Sequence, residues 1–550
     1  MFKKTLVYWI IISMIVLTAI GCGTRKPSGC LERVLLDKPE MLNPLLTSGE
    51  CVVLDYIFQG LIRYDEHLQL VGQLAERWDV SADNREWTFY LRKDVCWHDG
   101  EPFTARDVEF TFAVKADDEN LPGPKNQDFA WIEAIEIIDD FSIKFTLAPG
   151  HNLSLAIMCL EIIPRHLYDP KIALGQNKVA ICDMAEHPCN WQPVGTGPYR
   201  YKDWQDQCIT LERNDQYYDE DYPYIQTIRF NFYPDFDTAL AALAAGQVDL
   251  LEDISPAQMD NVPDLAQTHE CYTYQERGYQ FLAFNFRPQA FGPDRVNPWL
   301  DRRVRQAVAW TINREGIIAE LLEGRGVLMN STVPPKSWAY SPDLIAYCQD
   351  LARAGHLLDQ AGWTQRLDGW RYSEGNKLSV RLTFREDNLF HEEIAAIVKD
   401  DLAKVGIEVI LNPLAWRDML LDCMDAGNFE LALMGLSLDP DPHVASLFGS
   451  GSCRGMNFGA YQNIVMDAIV WTEKGSGDNE VPQALFADMQ KLMAYDLPYV
   501  FLFSPVRTAI ATNSLKGIVT SPLGFCWLER WYFTGKKQQK LPAGGFGFEH

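Results

Sequence analysis

The sequence predicts two mixed α/β lobes flanking a cleft, with a separate α+β unit attached to the first lobe. Two stretches read strand–helix–strand, Ile225 to Leu251 and Leu378 to Leu411, and such crossovers build partly parallel sheets. The region of about 62–190 reads instead as alternating strands and tight turns, the pattern of an antiparallel sheet. At 550 residues the chain is too long for one core, and roughly 100–200 residues per domain points to three or four compact units or two large lobes.

Met1 to Cys22 reads as an export signal. Lys3 and Lys4 form a positive end, Leu6 to Ile20 is almost wholly apolar, and small residues lead into Cys22. The apolar run is about 15 residues, shorter than the roughly 20 that a spanning helix needs. Cys22 directly after Gly21 resembles the lipobox of bacterial lipoproteins, with Ala19 where Leu is more usual. The resemblance implies a signal peptide over 1–21, lipidation at Cys22, and a soluble body tethered at one end on the periplasmic or extracellular side of a membrane. Leu153 to Ile163 is too short for a second span and carries Glu161.

After a polar tether, a first strand is expected near Glu32 to Leu36. Trp87, Phe89 and Leu91 fall on one face of another, and Asp94 to Gly100 forms a turn. Thr104 caps a helix with Asp107 three residues on, and Ser142 to Leu147 alternates as a strand. Gly195-Thr196-Gly197-Pro198-Tyr199 is a tight turn into a strand. Ile225 to Tyr233 is a strand, Asp237 caps the helix that stops at Gly246, and Val248 to Leu251 is a buried strand. The second lobe begins near Tyr279, with a strand Phe281 to Phe286 and capped helices from Asp301, Asn313 and Asp350. Leu378 to Phe384, Glu392 to Val405 and Ile407 to Leu411 give its crossover, followed by a helix from Trp416 and a strand Glu430 to Leu436. Strands resume over Pro498 to Ala511, the last 40 or so residues return to the first lobe, and Lys536 to Gly547 is a polar, Gly-rich tail.

Composition narrows the function classes. Hydrophobic residues at 47% and charged residues at 23% fit a folded soluble chain rather than a disordered or polytopic one. Lys plus Arg number 49 against 75 for Asp plus Glu, and the net charge of −26 repels phosphate backbones, which excludes nucleic acid as a partner. Aromatics at 12% suit concave ligand surfaces. Of thirteen cysteines, Cys182 and Cys189 could close a small loop in an oxidising compartment, but no spacing suits zinc, so no metal or other cofactor is expected. Gly435-Leu436-Ser437-Leu438-Asp439 lacks the closing Gly of a nucleophile elbow, and zincin and Walker A motifs are absent, so no enzyme is expected.

Several ordered blocks carry a family resemblance. Gln73 to Ser81, Trp87 to Arg92, His98-Asp99-Gly100, Thr104 to Val108, Gly195 to Tyr199, and Val304-Arg305-Gln306-Ala307 leading to Ile312-Asn313-Arg314 together resemble family 5 extracellular solute-binding proteins, the peptide and nickel group of ABC importers. The resemblance implies a bilobed periplasmic-binding-protein type II-like fold with an additional α+β subdomain. Lobe I would comprise 22–61, 191–275 and 506–550, the subdomain 62–190, and lobe II 276–505. It implies capture rather than catalysis, by a monomer that closes on an oligopeptide or peptide-like solute and delivers it to a membrane permease. A metal chelate or oligosaccharide ligand, and a surface or sensor lipoprotein without transport, are the alternatives.

Peptide-binding members anchor the ligand's amino group on an Asp after a Gly-Trp strand. Asp439 takes that role if one residue is deleted before Asp441-Pro442, whereas a gapless alignment places Leu438 there. A carboxylate at a strand end facing a cleft pairs well with a desolvated ammonium, though capping before Pro440 is its structural alternative. Trp416 matches a pocket-lining Trp of the family, an aromatic wall tolerant of ligand geometry. Gly435 would offer backbone groups, Tyr279 a hydroxyl, Asn285 an amide, and Phe503 a ring. Leu436 stands where Trp is expected, and no Arg or Lys lies between Asp418 and Met434 to meet a peptide carboxylate; both bear against short free peptides.

Overall fold

The strand Tyr499–Thr512 runs through both lobes and organises the computed structural model, which describes residues 29–47, 51–83, 85–116, 129, 131–148, 155–168, 186–276, 278–437, 440, 442, 444–452, 456–475 and 483–535. Its first half pairs with Tyr279–Phe284 and its second half with His269–Gln275, both antiparallel. It is buried at each end and partly exposed over Pro505 to Arg507, where the two lobes part. Pro505 has no N–H to give to a ladder, and at this point the strand exchanges one partner for the other while still facing Gly326. The Pro505 carbonyl accepts from the Glu276 N–H at 2.8 Å, which lays the two chain crossings side by side.

On the lobe I side, Cys30–Leu35 lies parallel to Thr227–Phe232, with Leu31 opposite Ile228, and parallel to Leu250–Ile254 on its other edge. The expected crossover therefore joins strands two places apart, with the N-terminal strand between them. Its first four residues are all buried, as a central parallel strand requires. The crossover helix, Phe236–Ala244, is capped by Asp235 and not by Asp237. Asp235 has an extended backbone that lets its carboxylate accept the Thr238 N–H at 2.8 Å, whereas Asp237 already lies in the first turn.

In lobe II the crossover strands Ser379–Arg385 and Glu408–Leu414 are parallel neighbours, joined by the helix Leu389–Lys404. That helix starts before the expected Glu392 because the Asn388 side chain accepts the His391 N–H. The helix at Trp416 covers only Trp416–Met419 before the chain widens into a π turn over Leu420–Asp425.

A four-stranded antiparallel sheet, in the order Ala75–Val80, Glu86–Leu91, Ser142–Leu147, Ile132–Asp139, carries the helix Ala105–Ala116 on one face. Phe112 packs 4.9 Å from Phe145, and Trp87, Phe89 and Trp97 complete a core separate from those of the two lobes. The Thr104 N–H meets the Asp107 carboxylate at 2.9 Å, closing the expected cap. A neighbouring hairpin, Ile62–Tyr64 and Leu70–Gly72, carries Leu68 at its tip into the lobe II core beside Met329, Val333 and Ala339. The Trp338 N–H donates to the His67 carbonyl at 2.9 Å in the same contact, so the lobes touch here as well as at the hinge. The C-terminal return packs on lobe I, where Leu515 and Trp531 share a cluster with Leu31 and Tyr56. Among the described residues, no helix is long and apolar enough to cross a membrane. Cys22, Cys182 and the Lys536 to Gly547 tail lie outside the described residues.

Candidate functional site

A cavity of about 940 Å³ opens beside the hinge, and among the described residues its walls come mostly from lobe I. Its back is built where two distant segments run together. The Leu61 N–H donates to the Met158 carbonyl at 3.0 Å and the Ile162 N–H to the Gln59 carbonyl at 2.9 Å. Gly60 makes this possible, because a Cβ there would stand 2.6 Å from the Cys159 carbonyl oxygen. The same close approach explains Gly195 and Gly197. A Cβ on Gly195 would overlap the backbone of Ile57 and one on Gly197 that of Tyr56 and Ile57, and the Gly197 N–H donates to the Ile57 carbonyl at 2.8 Å. His98 clamps this turn, with Nδ1 accepting the Gly195 N–H at 3.1 Å and Nε2 meeting the Gly197 carbonyl at 3.0 Å. Burial pulls its pKa down to about 4, in keeping with a ring that must stay neutral for Nδ1 to accept.

The cavity is charged and aromatic. Arg63 is held by Glu529 at 2.9 Å and lies over Trp527, 4.1 Å from the ring centroid. Arg507 is paired with Glu276 at 3.0 Å at the hinge. Glu252 reaches down to Arg33, which is 1% exposed and also donates to the Tyr56 hydroxyl beneath the floor. The Tyr274 hydroxyl donates to Asp253 at 2.6 Å. Carboxylates thus outnumber guanidiniums along the wall, with Asp55, Glu161, Glu252, Asp253, Glu276 and Glu529 facing Arg63 and Arg507. Glu161 and Asp253 have no cation within ion-pair distance among the described residues. Burial pushes the Glu161 carboxyl above the usual carboxylate range.

Besides Glu276 at the hinge, Ser437 is the described lobe II residue in this lining. It follows the strand Leu431–Leu436, so the end of that strand points toward the cleft, and Gly435 within it is exposed and pairs with Gln280. Asp439, two residues beyond Ser437, lies outside the described residues. Trp416 is 42% exposed and stacks with Arg385 rather than lining the cavity.

The structure does not bring Tyr279, Asn285 or Phe503 to the cavity. Tyr279 is 3% exposed, its ring between Phe281 and Phe501 in the lobe II core. The Asn285 amide donates to the Gly427 and Phe429 carbonyls, and its oxygen accepts the Arg287 N–H, which leaves it holding loops together. Phe503 is wholly buried against Phe390. Both strands are buried on each face at these positions, and Asn285 follows the end of its strand, so the three side chains serve the lobe II core and its loops instead of the cleft. The residues that sequence reasoning missed are Gln59, Arg63, Arg507, Trp527 and Glu529. Glu161 did leave a signal, as the one charge within an apolar run.

The family model of bacterial extracellular solute-binding proteins, family 5, middle region, matches residues 69–458. The oligopeptide-binding protein AppA of Bacillus subtilis is 27% identical, with 93% of each chain covered. Its structure in complex with a nonapeptide superposes at a TM-score of 0.63, with 26% identity over 92% of this chain and 99% of that one. NikZ of Campylobacter jejuni in complex with Ni(L-His) superposes at 0.62, with 25% identity over 90% and 97% of the two chains. With the family match spanning well over half its length, this chain belongs to the bacterial extracellular solute-binding proteins, family 5.

Proposed function

We propose that this protein is the substrate-binding subunit of an ABC importer that captures an oligopeptide or peptide-like solute between its lobes and hands it to a membrane permease. The observation that carries this reading is the cavity itself. At about 940 Å³ it lies at the upper end of ligand-site sizes, roughly 300–1,000 Å³, and it borders a hinge of two adjacent chain crossings. Among the described residues its lining comes from lobe I with Glu276 and Ser437 from lobe II, so closure would bring more of the second wall onto the ligand. Ligand binding would shift an open–closed equilibrium, and the closed form would be what the permease reads. A nonapeptide bound by the relative AppA supports peptide as the ligand class.

In this reading Asp439 anchors the ligand's ammonium, Trp416 becomes an aromatic wall on closure, and the exposed backbone near Gly435 supplies hydrogen bonds. The protein acts as a monomer on the outer side of the membrane, tethered by a lipid at Cys22, and it does no chemistry on its cargo.

Native mass spectrometry of the gently purified full chain tests the ligand class. A ladder of released peptide masses is the expected result; an empty protein that then fails to bind peptides but takes up Ni(L-His) or an oligosaccharide would overturn it. Asp439→Ala should weaken an N-terminally free peptide by about 2–5 kcal/mol, the usual loss for one member of a buried charge pair, as read by calorimetric titration. An unchanged affinity removes Asp439 from the site.

A further inference from the structure

Lobe I touches lobe II through the tips of two hairpins. The first, Ile62–Tyr64 with Leu70–Gly72, carries Leu68, which is 1% exposed because it sits in a lobe II cluster. The second, Val519–Ser521 with Gly524–Cys526, carries Leu523, which packs against the same cluster. Neither tip belongs to the chain crossings at the hinge. The receiving loop of lobe II is fixed from behind. Buried Gln490 accepts the Ser341 N–H at 3.2 Å and donates to the Ala339 carbonyl at 2.8 Å, while Trp338 stands edge-on to Phe486. From this loop the Trp338 N–H reaches the His67 carbonyl of the first tip.

That tip holds a conformation leucine rarely adopts, since Leu68 has a φ of 61°, in the left-handed region. Asp65 keeps it there. Its carboxylate accepts the His67 and Gln69 N–H groups at 2.8 Å each, and its carbonyl accepts the Leu68 N–H at 3.1 Å. Strain of this kind persists only where the surroundings over-determine it, and it collects at working sites. Trp527 shares the rare conformation, with a φ of 57°. It directly follows the second hairpin, and its indole N–H donates to Glu66 on the first tip at 2.6 Å. The guanidiniums of Arg63 and Arg530 lie over its ring, 4.1 and 3.9 Å from the centroid. Trp527 therefore ties the two tips together. It also lines the cavity, as do Arg63, Tyr64 and Leu523.

We propose that the two tips form a latch between the lobes, with Leu68 as its inserted side chain, and that Trp527 is the positioning residue that joins the latch to the cavity wall. Filling the cavity and closing the lobes are then one event, because a ligand against Arg63 and Trp527 rests on the residues that aim Leu68. One buried leucine and one backbone hydrogen bond bias an equilibrium by roughly ten- to a hundredfold, enough to favour closure and little enough to be undone. Apparent affinity scales with the closed fraction, so the latch sets affinity without touching the ligand. It rests on the capture-by-closure reading above and holds for any class of ligand.

The Trp338 amide reports the latch directly, through hydrogen exchange of the full chain in detergent, read by mass spectrometry. Without added ligand, Leu68→Asp should speed exchange at Trp338 at least tenfold while the strand Leu431–Leu436 keeps its wild-type protection. Leu68→Met should exchange as wild type does. Trp527→Ala and Glu66→Ala should each speed it threefold or more, and Glu66→Gln, which keeps an acceptor for the indole N–H, should restore the slow rate. A pool of random nonapeptides should slow Trp338 exchange in the wild type and much less in Trp527→Ala. An unchanged rate in Leu68→Asp, or faster exchange throughout lobe II, overturns the latch. A fast rate in Leu68→Asp beside wild-type rates in Trp527→Ala and Glu66→Ala overturns the link to the cavity. A pool that leaves the wild type unchanged, while the variants behave as expected, overturns the peptide reading and leaves the latch standing.

Discussion

The two walls of the cleft are built on opposite plans. The lobe I wall carries unpaired acceptors, paired guanidiniums and aromatic rings around a cavity that is already formed. The lobe II side nearest the hinge is packed apolar core, in which Tyr279, Phe281, Tyr499 and Phe501 stack on one another with ring centroids 4.4–6.0 Å apart. A binding protein of this design keeps its polar recognition on one side and a rigid lid on the other. The charged wall needs a scaffold to hold its charges, and the lid needs only shape and a few contacts at its rim. If that contrast is right, charge substitutions should hurt lobe I most, and the exposed lobe II aromatic should matter for ligand and hardly at all for folding.

The largest effect is expected beneath the lobe I floor. Arg33 is buried among the rings of Tyr56, Phe230 and Trp531, 5.3–5.6 Å from their centroids, and neutralises Glu252. Removing it leaves a poorly solvated carboxylate alone, so Arg33→Ala should cost about 3–5 kcal/mol of stability in urea denaturation. Replacing both partners, Arg33→Met with Glu252→Leu, should recover most of that loss. A full cost that persists in the double variant would mean that Arg33 acts through packing rather than charge.

A smaller effect, shared by the two lobes, is expected from pH. His98 in lobe I and His391 in lobe II are both pulled by burial to a pKa of about 4, below the ordinary value of 6.5. As pH falls below 6.5 the unfolded chain takes up protons that the folded chain refuses, so stability is present above that value and is lost between pH 6.5 and 4. Each histidine should cost about 2 kcal/mol between pH 7 and pH 5. His98→Gln should remove that share of the acid sensitivity, read as the shift of the urea midpoint at the two pH values. An unchanged slope would show that the clamp on the Gly195–Gly197 turn stays in place when the ring is charged.

Much of this architecture was legible in the sequence, and the reasons are local. Trp87, Phe89 and Leu91 alternate because one face of their strand is buried, and the 378–411 crossover shows its two strands and helix because each spans a full hydrophobic period. The order of strands in lobe I was not legible, since the insertion of Cys30–Leu35 between two others is a long-range choice with no local trace. The site divides the same way. The motif-bearing glycines at 195 and 197 proved to serve backbone packing. Gln59 and Glu161 stand about a hundred positions apart, joined only by backbone pairing, and no periodicity announces such a meeting. The strands carrying Tyr279 and Phe503 were readable, but not that both are buried on each face.

Trp416 is where the contrast between the walls comes closest to failing, and its effect on stability should be the smallest. Its ring is exposed, and its one described partner, Arg385, lies 4.8 Å from the ring centroid while also pairing with Asp387 at 2.8 Å. An exposed cation–π contact of this kind contributes about 0.5–1 kcal/mol, whereas truncating a buried Trp costs about 3–5. Trp416→Ala should therefore lower stability by about 1 kcal/mol or less, and an anchor that lobe closure buries should lose about 2 kcal/mol of peptide affinity, some thirtyfold. Calorimetric titration and urea denaturation of the same preparation read both numbers. A small stability change with a large affinity loss makes Trp416 the aromatic rim of the lid. A stability loss of about 3 kcal/mol or more would place it with Tyr279 and Phe503 in the lobe II core, and recognition would then fall to the lobe I wall and the strand end at Ser437.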